Sequence, residues 1–148
     1  MSALAVPIQM LDDGLEMPAY AYEGDAGLDL RATCDATLQP FERALVPTGI
    51  ALAIPREYAG FVLPRSGLAV KHGISVVNAP GLIDSNYRGE IKVVLVNLDA
   101  HEPFEIARGD RIAQLVIMRV ADVAFDQVDD LEDSARGAGG FGSSGVSA

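Results

Sequence analysis

Five short stretches carry residue types whose spacing could do chemistry. In "DAGLDL", Asp25 and Asp29 stand four residues apart. On a β-strand both would face one side and could serve a hydrated metal ion, although Asp and Gly together more often mark a plain turn. In "PRSGLAVKHG", Arg65 and Ser66 sit where a strand gives way to a short helix. Free backbone N–H groups, a hydroxyl and a guanidinium there make an anion cradle, and a capped helix with a surface arginine would read the same. "NAPGLIDSNYRGEIKV" reads as a β-hairpin in which Asp84 could act as a general base toward water, Tyr87 offers an aromatic plate and Asn78 hydrogen-bonds two ways. The bland alternative is an Asp-Ser-Asn turn with a packing tyrosine. "RGDRIAQL" sets Gln114 inside an apolar strand, where its amide needs a ligand or neighbouring backbone. In "RGAGGFGSSG", Gly137, Gly139 and Gly142 satisfy a dinucleotide-binding pattern, yet only six residues follow Gly142, too few for the helix that pattern must open.

The elements that must position these residues are mostly strands. Turn signals recur about every ten residues, from Gly24 and Pro40 to Pro103 and Gly109, between runs rich in β-branched and aliphatic residues. That spacing predicts an all-β sandwich or barrel. Only Ser66 to Gly73 reads as helical, with Ser66 as a possible N-cap and Gly73 as the stop. In "IKVVLVNL", Ile91, Val93 and Leu95 share one face and Val94, Val96 and Leu98 the other. A strand apolar on both faces must be covered on both; a second subunit is the simplest extra cover, the alternative being a fully internal strand in a closed barrel. Residues 1–127 therefore read as one β domain that associates with copies of itself. Residues 128–148 hold four acids in the five positions Asp129 to Asp133 and then small residues, a composition that predicts a mobile arm.

The 148 residues carry a net charge of −10, which argues against a basic nucleic-acid face; an anion would need a local cationic pocket or a metal ion. The start, "MSALAVPIQML", has neither a basic leader nor an apolar run long enough to span a membrane. A single cysteine, Cys34, precludes an internal disulfide, suits the cytoplasm and is expected to be a buried, inert thiol. His72 and His101 are too few and too far apart in sequence for a cupin-type metal site.

In this order the five stretches resemble the five motifs of the trimeric deoxyuridine triphosphatases, and the resemblance runs from Ala19 to Gly145. It implies a distorted jelly roll with one short helix, three subunits about a threefold axis, and three sites at the interfaces. The implied reaction is Mg²⁺-dependent hydrolysis of dUTP to dUMP and pyrophosphate. Carried onto this chain, Asp84 would activate the attacking water. Arg65, Ser66, Gly67 and Gln114 would grip the phosphates. Asp29, Asp25 or both would hold the waters of Mg²⁺ or orient a neighbour. Uracil would lie against the segment from Asn78 to Lys92, including Leu82 and Ile83, with Tyr87 beneath the sugar. From another subunit the arm would bring Phe141 onto uracil, and Arg136, Gly142 and Ser143 onto the phosphates. The rival readings are a dCTP deaminase, or a deaminase with triphosphatase activity, on the same fold, and a non-catalytic nucleotide sensor.

Overall fold

The computed structural model describes residues 3–147. Eleven strands and one helix follow one another: β1 (Ile8–Met10), β2 (Leu28–Arg31), β3 (Ala36–Leu38), β4 (Arg43–Pro47), β5 (Ile50–Leu52), β6 (Tyr58–Leu63), α1 (Ser66–His72), β7 (Ile74–Val76), β8 (Gly81–Ile83), β9 (Lys92–Asn97), β10 (Phe104–Ile106) and β11 (Arg111–Arg119). All pairings are antiparallel, in sheets ordered β2-β11-β6-β8 and β4-β9-β7 and in ribbons β1-β5 and β3-β10. The architecture is all-β with one short helix, as the turn spacing predicts, and is the distorted jelly roll that the resemblance implies.

The two larger sheets share one apolar core. Leu30, Val62, Ala113 and Leu115 come from the first, and Val46, Ile74, Val93 and Leu95 from the second. Each buried aliphatic side chain of this kind stabilises the fold by about 1.5–3 kcal/mol. Asn97 is wholly buried among them without an unmet need: its amide donates to Leu38 O and Glu102 O, and its Oδ1 accepts the Asp99 N–H. At the rim, Arg108 grips both oxygens of Asp12 and donates to Thr33 O, which holds the Asp12 carboxyl below the usual carboxylate range.

β9 behaves as its two-faced sequence predicts. Ile91, Val93 and Leu95 are buried by the chain itself, whereas Val94 and Val96 are half-buried and Leu98 is 55% exposed. Beside Val94 in register stands Leu45, 59% exposed, and the Val77 N–H donates to Val94 O. The outer face of the β4-β9-β7 sheet is therefore an uncovered apolar surface.

Three sequence expectations are corrected. The segment from Asn78 to Lys92 is not a two-stranded hairpin: β8 pairs with β6, while β9 pairs with β4 and β7. The chain crosses from one sheet to the other there, bending at the turn closed by the Tyr87 N–H on Asp84 O. Ser66 is the first residue of α1 rather than its cap. Arg65 occupies the cap position in extended backbone, without a side-chain capping bond. Gly73 ends the helix in the left-handed conformation, φ 67°, as expected. Cys34 is exposed, because it lies in the turn between β2 and β3 and not on an inward strand position.

Candidate functional site

β11 is the strand around which the first half of the site is built. It runs between β2 and β6 and places Gln114 opposite both Asp29 and Leu63. Beyond Leu63 the chain passes through Pro64 into Arg65 and the start of α1. Gln114 Nε2 donates to Pro64 O at 2.9 Å and ties the strand to that turn. Gly27 belongs to this arrangement through its missing side chain: a Cβ there would overlap Gln114 Oε1 and lie 3.2 Å from Cδ.

Asp29 organises the charge. Its Oδ1 lies 3.2 Å from Arg65 Nε and its Oδ2 3.3 Å from Arg111 Nη1. Arg65 Nη1 also donates to the Arg111 carbonyl at 3.0 Å. Two guanidiniums share one carboxylate, and Asp25, at the edge of the cavity they line, is the second negative charge near them. With Asp29 only 21% and Arg65 28% exposed, the pairing is screened less than at an open surface. These residues, with Ser66 and Gly67, line a cavity of about 450 Å³. Ser66 and Gly67 open α1, where backbone N–H groups have no partner within the helix. Gly67 has only open space where a Cβ would project, in a helix where glycine costs about 1 kcal/mol relative to alanine. Packing within this chain does not require glycine there.

Asp25 is not on a strand but in a turn, the commoner reading of Asp and Gly together, so it does not share a strand face with Asp29. It closes a turn in which its Oδ2 accepts the Tyr22 N–H, though it still borders the cavity. Arg111 is a residue that sequence reading missed. Arg111 and Gln114 are three apart and on a regular strand would face opposite sides. The register of β11 against β2 slips between Arg111 and Ala113, and this bulge turns both side chains to one cavity. The only sequence signal was that Arg111 stands within "RGDRIAQL".

The second half of the site lies in a separate cavity of about 510 Å³, lined by Asn78, Leu82, Ile83, Asp84, Tyr87 and Lys92 together with Leu45 and Glu90. Asp84 is exposed at the end of β8, and among the described residues no hydrogen bond or ion pair engages its carboxylate. The Tyr87 hydroxyl donates to the Glu90 carbonyl at 2.9 Å, and the Glu90 carboxylate accepts the Gly49 N–H at 3.0 Å. Lys92 Nζ stands 3.9 Å from the same carboxylate.

The structure thus brings together Asp25, Asp29, Arg65, Ser66, Gly67 and Gln114 in one place, and Asn78, Leu82, Ile83, Asp84, Tyr87 and Lys92 in another. It does not bring the two sets into one cavity. Arg136, Phe141, Gly142 and Ser143 line neither. In the arm Arg136 Nε donates to Gly139 O, and Phe141 projects fully into solvent.

Comparison with known proteins bears on what these halves are for. A family model described as dUTPase matches residues 13–145. A deoxyuridine 5'-triphosphate nucleotidohydrolase of Thermobifida fusca (strain YX) is 61% identical over 140 residues, spanning 95% of this chain and 78% of that protein. The solved structure of the Staphylococcus bacteriophage 80alpha dUTPase with dUPNHPP is 29% identical, with a TM-score of 0.88 over 97% of this chain and 100% of that one. A dUTPase variant from phage phi11 of S. aureus, whose structure concerns coordination of a structural Mg(II) ion, shares the fold at 24% identity, with a TM-score of 0.81 over 88% of this chain and 100% of that one.

Proposed function

The chain belongs to the dUTPase family and is a dUTP diphosphatase; from that premise we propose how its residues divide the work of hydrolysis. The observation that carries the reading is the separation of the two half-sites on one chain, beside an apolar sheet face that this chain leaves uncovered. Three copies about a threefold axis bury that face and bring the arginine cavity of one subunit to the Asn78–Lys92 cavity of the next.

In that shared site the triphosphate lies against Arg65, Arg111, Gln114 and the N–H groups of Ser66 and Gly67. The guanidiniums of Arg65 and Arg111, aimed at the phosphates, stabilise the charge that builds on the phosphate oxygens in the transition state. The uracil and sugar lie against Asn78, Leu82, Ile83 and Tyr87. Asp84 accepts a proton from water as the water oxygen bonds to the α-phosphorus. The bridging P–O bond then breaks, and its electron pair leaves with pyrophosphate. A carboxylate without another partner is suited to that task.

The donor set fits Mg²⁺ held mainly by substrate and water. Asp29 is committed to two guanidiniums, leaving Asp25 as the carboxylate that borders the cavity and could hold a metal-bound water. No group of three or more His, Cys, Asp and Glu side chains stands ready as a metal cage among the described residues. When bound, Mg²⁺ would neutralise part of the triphosphate charge.

Asn78 and nearby backbone groups read the uracil edge. Cytosine presents the opposite donor–acceptor order and would leave buried groups unpaired, a discrimination of up to about 10⁴-fold. Tyr87 packs beneath the sugar and excludes a 2′-hydroxyl. The arm of a further subunit closes the site, with Phe141 on uracil and Arg136, Gly142 and Ser143 at the phosphates. The activity removes dUTP before uracil enters DNA and supplies dUMP for dTMP synthesis, and the lone cysteine suits a cytoplasmic location.

The test is pyrophosphate release from dUTP, dTTP, dCTP and UTP, with Mg²⁺ and with chelator. The reading predicts release from dUTP alone, abolished by chelation. Ammonia release from dCTP would instead identify a deaminase, and binding of dUTP without pyrophosphate release a sensor.

A further inference from the structure

Gly89 has an ordinary backbone, outside the left-handed region, so conformation does not call for glycine there. Space does. A Cβ at this position would overlap the Tyr87 hydroxyl, lie 2.6 Å from Tyr87 Cζ and 3.0 Å from Cε2. The ring is therefore laid directly on the backbone at residue 89. Its hydroxyl reaches past Gly89 to the Glu90 carbonyl at 2.9 Å. The Glu90 side chain in turn takes the Gly49 N–H at 3.0 Å, next to Ile50 in the buried core, so the acceptor is anchored to the body of the fold. Tyr87 is otherwise 43% exposed.

We infer that Gly89 and the Glu90 carbonyl are positioning elements for sugar discrimination: the missing Cβ makes room for the tip of the Tyr87 ring, and the carbonyl pins its hydroxyl. This rests on the reading that Tyr87 packs beneath the sugar, and deepens it. A ring held at its hydroxyl and over a bare backbone stands at one fixed height. A fixed wall excludes a single added oxygen, whereas a swinging one yields to it. A methyl at residue 89 meets the far end of an exposed side chain rather than backbone, so the cheap response is for the ring to swing outward while the fold persists.

The experiment compares kcat/KM for UTP and dUTP in purified full-length protein, with melting temperature and oligomeric state recorded for each variant. Gly89→Ala should raise the UTP:dUTP ratio roughly ten- to hundredfold, a misplacement effect, with the melting temperature nearly unchanged. Tyr87→Phe keeps the ring but removes its pin, and should raise the ratio about two- to fivefold, a loss in the range of one hydrogen bond. Added to Tyr87→Ala, the Gly89→Ala change should move the ratio less than about twofold, since residue 89 acts only through the ring. An unchanged ratio in both Gly89→Ala and Tyr87→Phe, while Tyr87→Ala raises it, would overturn the positioning role and leave the Tyr87 reading standing. An equal rise from Gly89→Ala with and without the ring would also overturn it. If Tyr87→Ala itself leaves the ratio unchanged, the underlying reading falls and the inference with it. Should Gly89→Ala fail to fold, Tyr87→Phe decides the matter on the same ratio.

Discussion

In the arginine cavity, Asp29 is committed to two guanidiniums, Gln114 to the Pro64 carbonyl and Arg65 to the Arg111 carbonyl, all mounted on paired strands or at the start of α1. In the segment from Val128 to Ser147, hydrogen bonds run only between near neighbours, such as Gly139 N–H to Arg136 O and Ser143 N–H to Gly140 O. Both regions carry cationic and hydroxyl groups, yet the first is tied together by contacts between distant parts of the chain and the second only by contacts within itself. The preformed half needs no reorganisation when charge develops, which favours catalysis. Under the proposed reading, the arm would leave the site open for entry and release, and its ordering would be coupled to the ligand. The difference teaches that apolar strand packing can hold only the part of a site built on strands; a glycine-serine segment must be ordered by what it closes upon.

The largest effect belongs to neither region but to the chemistry between them. Asp84→Asn should lower kcat about 10²- to 10⁴-fold while dUTP binding stays near wild type, because an amide cannot take the proton of water. Steady-state kinetics with a titration of a non-hydrolysable analogue checks both halves of that statement. Stopping the chain after Ala135 sharpens the comparison directly. It should lower kcat about 10²-fold, yet leave the melting temperature and oligomeric state almost unchanged, since these residues add nothing to the core.

Asp29→Asn attacks the preformed half and should show the reverse signature. Two guanidiniums lose their shared anion, so stability should fall by about 1–2 kcal/mol along with a roughly tenfold rise in KM. Calorimetry and kinetics on the same sample separate this from the truncation, which should touch activity alone. The smallest signal comes from Phe141→Trp. The chain has no tryptophan, so the new fluorophore is unique. A dUTP analogue with Mg²⁺ should shift or quench its emission, and dUMP should do so less, for want of the phosphates that Arg136 and Ser143 would grip.

Much of this molecule was legible from residue order because its signals are local. Turn residues marked the strands, Gly73 marked the helix stop, and the two apolar faces of β9 foretold the uncovered sheet face. What was not legible depends on pairing. Whether β8 meets β9 or β6 is decided by which edge is free in three dimensions, and both are short apolar runs in sequence. The bulge between Arg111 and Ala113 has no signature of its own, so Arg111 could not be assigned to the Gln114 side in advance. In "DAGLDL" a carboxylate that closes a turn and one that begins a strand look alike, and the structure gives Asp25 the turn and Asp29 the strand. The exposure of Cys34 follows from its turn position between β2 and β3, which the residue type does not reveal.

The central claim is that half-sites separated on one chain are completed by other chains, and hybrid trimers test it most directly. Asp84→Asn subunits retain the arm, and subunits ending at Ala135 retain Asp84; each preparation alone should be nearly inactive. Unfolded together in equal amounts and refolded, they should assemble at random. About a quarter of the sites should then combine an intact Asp84 from one chain with an arm from another, and dUTP hydrolysis should return to about that fraction of the wild-type rate. Mixed trimers, verified by mass, that stay as inactive as their parents would contradict the account, because Asp84 and the arm would then have to come from the same subunit.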